Sequence, residues 1–160
     1  MEINIGLTDS VRQQIAQNLS LLLADMYILC VKTQNFYWNV VDPRFYSLYL
    51  FFKKEIQVLE EGISEIGERI RELGEFVPGS LKQFLNMTSL TESDGDLIAE
   101  DMLTELLKDH EMICRFLRDR IVLASRLGDE GTAKLLIQHL CTHEKSAWIL
   151  RSHLFYDAQE

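Results

Sequence analysis

Apolar residues recurring in alternating steps of four and three place the tightest constraint on this chain. They run through Ile15, Leu19, Leu22, Met26, Leu29, Thr33 and Phe36, behind a capping Thr8 or Asp9. That spacing predicts one long amphipathic helix, broken at residues 39–42. Asp42-Pro43 then predicts the cap and first position of a second helix, where proline loses no hydrogen bond. Its stripe of Phe45, Tyr49, Phe52, Ile56, Leu59, Ile63, Ile66, Ile70 and Leu73 keeps a heptad repeat up to Gly74, as a helix packed in a bundle does. Residues 75–93 read as a loop around Pro78-Gly79, with a short apolar cluster at Leu81, Phe84 and Leu85. The acidic residues 91–96 suit the start of a third long helix through Met102, Leu106, Ile113, Phe116 and Leu123. Gly128 stops it, and Asp129 begins a fourth carrying Leu135, Leu136, Leu140, Ala147, Leu150 and Leu154. The fold class is therefore all-α, a four-helix bundle with one long crossover between its second and third helices.

A chain of 160 residues, 47% hydrophobic and with only two prolines, has material for one ordinary core, so residues 1–160 are expected to form a single domain. Residues 1–7 are a short tail without a basic residue. The excess of 25 acidic over 16 basic residues gives a formal charge of -9, which repels nucleic-acid phosphates and anionic membrane surfaces and favours cations. Metal ions are the expected small partner, and DNA binding is not expected. Cys30, Cys114 and Cys141 stand singly among apolar residues, which predicts reduced, buried thiols. The amino terminus lacks the basic and apolar regions of a secretory signal. The longest apolar run, residues 19–31, is too short for a bilayer and contains Asp25. The reading is a soluble, cytoplasmic protein.

Four segments resemble a known family. Residues 32–40, KTQNFYWNV, are close to a K-T-H-N-F-H-W-N-V pattern, and residues 65–73 fit E-x-x-E-R-x-x-x-L. Gly128-Asp129-Glu130 fits G-D-E, and residues 143–154 fit H-E-K-x-x-W-x-L-R-S-x-L. These are the motifs of the Dps-type mini-ferritins, and they span nearly all of the chain outside its ends. The resemblance implies a ferritin-like bundle with a short helix in the crossover, assembled as a homo-oligomer, a hollow dodecamer built from dimers. It also implies oxidation of ferrous iron at sites shared between two subunits.

The family's ligands there are imidazoles and carboxylates, and this sequence carries Tyr37, Tyr49, Lys53, Ser64 and Glu68 in their places. Only Glu68 keeps the family's residue type. Phenols bind iron when deprotonated and have an ordinary pKa of about 10, so Tyr37 and Tyr49 are poor ligands for ferrous iron. Lys53 puts an ammonium where a cation should bind, and the two repel. On one helix Lys53 and Glu68 lie about 22 Å apart at 1.5 Å per residue, so only a neighbouring chain can pair them. An intersubunit Lys53–Glu68 salt bridge is the expectation, and the alternative is a solvated surface lysine with Glu68 an unpaired helix carboxylate.

Further metal candidates are fewer. His139 and His143 are four apart on one helix face, a spacing that lets two imidazoles meet one ion, but no third ligand is evident. Glu61, Glu65 and Glu72 could gather iron on the inner wall that the resemblance implies, or be a plain solvated face. The resemblance also implies acidic pores after the G-D-E motif, where Asp129 and Glu130 match and Lys134 does not. Two readings of function follow: an iron-associated Dps-like cage for storage and oxidative-stress protection, with its conventional ferroxidase site largely lost, or a structural or interaction cage without iron chemistry.

Overall fold

The computed structural model describes residues 3–94 and 96–155. Residues 1–2 of the tail without a basic residue, and residues 156–160, lie outside the described residues. Five helices follow in order: α1 (Asp9–Asn39), α2 (Phe45–Glu72), α3 (Leu81–Met87), α4 (Ala99–Arg126) and α5 (Glu130–Leu154). No strand occurs among the described residues.

Thr8 caps α1, its hydroxyl accepting from the Val11 amide. The second helix starts later than Asp42-Pro43 suggested. Asp42 instead folds a turn, accepting from Arg44 N at 2.6 Å and through its carbonyl from Phe45 N, and α2 begins at Phe45. Gly74, at φ 91°, ends α2, with the Gly74 and Glu75 amides donating back to Arg71 and Ile70. The crossover does carry a short helix, because Ser80 and Gln83 form a reciprocal capping box for α3. The acidic residues 91–96 do not open α4. It begins at Ala99, and Glu100 and Asp101 supply the negative charge in its first turn.

Helices α1 and α2 pack as one hairpin and α4 and α5 as another, while α3 lies on α1. Every predicted α1 position, Ile15 to Phe36, is buried. By length and composition α1 could cross a membrane, but its apolar stripe is what the bundle covers. On α2 the buried face is Leu48, Phe52, Glu55, Leu59, Gly62, Ile66 and Ile70. Phe45 is exposed, and Tyr49, Ile56 and Ile63 are only partly buried, so the face is turned from the heptad reading. The buried face keeps the seven-residue spacing from Leu48 to Ile66 but is set one residue earlier on one side of the stripe, so that Leu48, Glu55 and Gly62 face the core in place of Tyr49, Ile56 and Ile63.

Two buried polar contacts fix the arrangement. Lys32 Nζ on α1 meets Asp109 Oδ2 on α4 at 2.7 Å, and Asp25 accepts from Thr88 Oγ1, Ser89 N and Ser89 Oγ in the crossover. Of the cysteines, Cys30 and Cys114 are half-buried, and their thiols are pushed up to about 11, chiefly by burial. Cys141 is exposed, contrary to the expectation of burial, because the inward positions beside it belong to Leu140 and His143.

Candidate metal centre

The five positions that the family resemblance singles out fall on α1 and α2. Tyr37 is half-buried and stacks on Tyr49 with ring centroids 5.0 Å apart. Its phenol is held above the ordinary value by the neighbouring Tyr49 hydroxyl and then by desolvation. Lys53, Ser64 and Glu68 are exposed on the single subunit, with Ser64 Oγ 3.5 Å from Glu68 Oε1.

Asp129, Glu130 and Lys134 divide differently. Asp129 is buried, accepts from the Thr132 amide as the cap of α5, and pairs with Arg69 Nη2 at 2.8 Å. Its carboxylate is committed inside the subunit, while Glu130 and Lys134 are exposed. Glu72 pairs with Arg69. Glu61 and Glu65 instead line an open depression of about 420 Å³, together with Val58, Gly62, Gln138, His139 and Thr142.

Behind that depression, in the bundle core, lies a polar cluster drawn from three helices. His139 and His143 on α5 are both buried, as is His110 on α4 and Glu55 on α2. His110 and His143 share a hydrogen bond between their Nδ1 atoms, 2.9 Å apart. Glu55 Oε2 stands 3.5 Å from His110 Nε2. His139 Nε2 is 3.1 Å from the exposed Glu65 Oε2, but without the alignment of a hydrogen bond. Glu55 Oε2 and His139 Nε2 are thus buried without a hydrogen-bond partner, a costly condition for polar atoms. Met26, Val58, Leu59, Thr142 and Ser146 complete the walls of an enclosed space of about 10 Å³, room for one small occupant.

Burial keeps these imidazoles neutral. The pKa of His110 falls to about 4, and that of His143 falls well below the usual histidine value through burial and the neighbouring His110 and His139. His139 is lowered by burial against the opposing pull of Glu65. Burial raises the Glu55 carboxyl, partly offset by a hydrogen bond from Ser146 and the charges of Lys145 and Lys54. Neutral imidazoles keep a lone pair for a metal.

The i, i+4 pair on α5 was legible in the sequence, whereas His110 and Glu55 were not picked out. The signal for Glu55 lay in its register with Leu48, Phe52 and Leu59, a charged residue on an apolar face. Gly62 makes the room: a Cβ there would stand 2.7 Å from Met26 Cε and 2.9 Å from His139 Cε1. At an open helix position Gly→Ala stabilises by about 1 kcal/mol. Here crowding of the ring costs about 1–3 kcal/mol, so Gly62→Ala is expected to lower the urea midpoint. A raised midpoint would show that His139 yields without cost.

The four long helices and the crossover through α3 are those of a ferritin-like protein, and residues 16–156 match the sequence model of the ferritin-like domain. An uncharacterized low-temperature-induced protein of Nostoc sp. is 43% identical over 157 residues, 95% of this chain and 86% of that protein. DNA protection during starvation protein 2 of Bacillus anthracis is 32% identical over 144 residues, 90% of this chain and 99% of its own. Among solved structures, DpsC from Streptomyces coelicolor superposes with a TM-score of 0.93 at 30% identity, covering 96% of this chain and 91% of that one. The Dps protein of Vibrio cholerae, described as a member of a superfamily of ferritin-like diiron-carboxylate proteins, gives 0.91 at 27% identity, over 96% and 98%. The chain belongs to the Dps-type mini-ferritins.

Proposed function

We propose that this protein is the subunit of a Dps-like cage associated with iron binding or storage and with protection against oxidative stress, in which the conventional intersubunit ferroxidase site is largely lost. The observation that carries the second half is the residue set Tyr37, Tyr49, Lys53, Ser64 and Glu68, with its stacked phenols and its ammonium. The first half is supported by the company the chain keeps, a DNA-protection protein of Bacillus anthracis and a ferritin-like diiron-carboxylate relative in Vibrio cholerae. A homo-oligomer, a dodecamer built from dimers, is supported by the motif tryptophans. Trp38 and Trp148 are 67% and 61% exposed on one subunit, with Val41, Tyr46 and Phe76 also outside. In that assembly Lys53 pairs with a neighbour's Glu68. The charge of -9 and the lysine-free tail argue against DNA as a partner.

Anaerobic titration with ferrous iron, followed by oxygen or peroxide and a count of metal per subunit after desalting, tests this reading. The expected result is iron retention with oxidation no faster than the buffer control. Fast stoichiometric oxidation that is lost in Glu68→Gln would show a working intersubunit site. No retention at all would favour the second reading, a structural or interaction cage.

A further inference from the structure

Three of the chain's four histidines meet in the bundle core, none of them at the five positions that the family resemblance singles out. Hydrophobic bundles do not gather neutral imidazoles and a carboxylate without compensation, since each buried polar atom without a partner weakens folding. Glu55 Oε2 and His139 Nε2 have ionisable neighbours but no hydrogen-bond partner, and both residues line the same small enclosed space. Gly62, on the buried face of α2, gives up a side chain so that the His139 ring can occupy this place. His139 also borders the outer depression, where Glu61 and Glu65 present carboxylates to solvent. A cation is thereby offered a graded path, from exposed carboxylates past His139 to the His110–His143 pair and Glu55.

We propose that Glu55, His110, His139 and His143 form a binding site for one divalent transition-metal ion within each subunit, entered from the Glu61–Glu65 depression. Imidazole with one carboxylate suits borderline ions such as zinc, cobalt or ferrous iron, while magnesium and calcium prefer oxygen donors alone. Paired irons in carboxylate bundles use Glu-x-x-His on two helices, and no such spacing exists in this sequence, so the donor set fits a single ion. Among the described residues, no three such donors converge as they stand, and His110 and His143 hydrogen-bond each other. Binding requires one imidazole to turn about its χ2, a soft torsion, and the shared proton to move to the outer nitrogen. The site stands on one subunit's own residues and does not depend on the cage or on mineral storage.

Cobalt(II) is the probe. Equilibrium dialysis of the purified full-length protein with Co2+ should give one ion per subunit and the visible bands of a four- or five-coordinate centre, unchanged in Glu68→Gln. His143→Gln should weaken binding at least about tenfold. Glu61→Gln with Glu65→Gln should slow uptake and leave the stoichiometry intact. Should His143→Gln fail to fold, anomalous diffraction from a Co2+-soaked crystal of the unaltered protein locates the ion directly. A peak between α2, α4 and α5 sustains the site. A peak only near Tyr37 and Glu68, binding unaffected in folded His143→Gln, or no stoichiometric uptake overturns it.

Discussion

Replacing Lys32 by methionine is expected to lower folding stability by about 3–5 kcal/mol, the range for removing one member of a buried ion pair. Lys32 is almost wholly enclosed, its ammonium 2.7 Å from Asp109 Oδ2 and 3.7 Å from the more exposed Glu105 Oε2. Without it, Asp109 is left in surroundings that already push its carboxyl up through burial, with Lys32 as the chief opposing influence. The size of the loss comes from the orphaned carboxylate more than from the lost attraction, so the double variant Lys32→Met with Asp109→Leu should recover most of it. Acid should also shrink the deficit of the single variant, because protonation removes the unpaired charge. Urea unfolding at one fixed protein concentration measures both, since assembly adds to apparent stability. A single variant within 1 kcal/mol of the parent, by the scale of exposed pairs, would mean that water reaches Asp109.

The metal-free protein is expected to lose stability steeply between about pH 6.5 and pH 4. His110 has its folded pKa near 4, lowered from the ordinary histidine value by complete burial. Protonation therefore favours the unfolded chain. The contribution is fully present above the unfolded value and is lost as pH falls through the folded one, on the order of 3 kcal/mol for this residue. His143, lowered by burial and by its histidine neighbours, acts in the same sense. His139 does too, with Glu65 pulling against it. Glu55 and Asp109 work in the opposite direction, since their raised carboxyls are neutralised first in the folded protein. The three histidines outnumber them. Urea midpoints at pH 7.5 and pH 5.0 in the presence of a chelator should differ clearly, and coincident midpoints would contradict the burial of the imidazoles.

Most of the fold was legible because it is local. The α1 stripe, the Thr8 cap, the Gly74 and Gly128 stops and the Asp129 restart depend on residues within a turn or two of one another. The phase of α2 was not, because the sequence offers an apolar stripe through Tyr49, Ile56 and Ile63, and only docking against the other helices turns Leu48, Glu55 and Gly62 inward instead. The bundle-core cluster was half legible for the same reason. His139 and His143 announce themselves by spacing, but His110 and Glu55 join them only after α4 and α2 have docked. The late start of α4 was not legible either; its first turn, at Glu100, meets Arg44 Nη2 at 2.7 Å, a contact between segments 56 residues apart.

The three hydrogen bonds that Asp25 accepts from Thr88 and Ser89 divide the crossover in two. A single long connection between α2 and α4 becomes a pair of shorter arcs, one through α3 and one leading to Ile98. Closure entropy grows only slowly with arc length, so each arc could lengthen without loosening the bundle. The pinning carboxylate, by contrast, is a single side chain that accepts all three bonds. Drift in the length of this connection among descendants of the chain is therefore channelled to either side of residues 88–89, and the knot itself is the part that must be inherited intact.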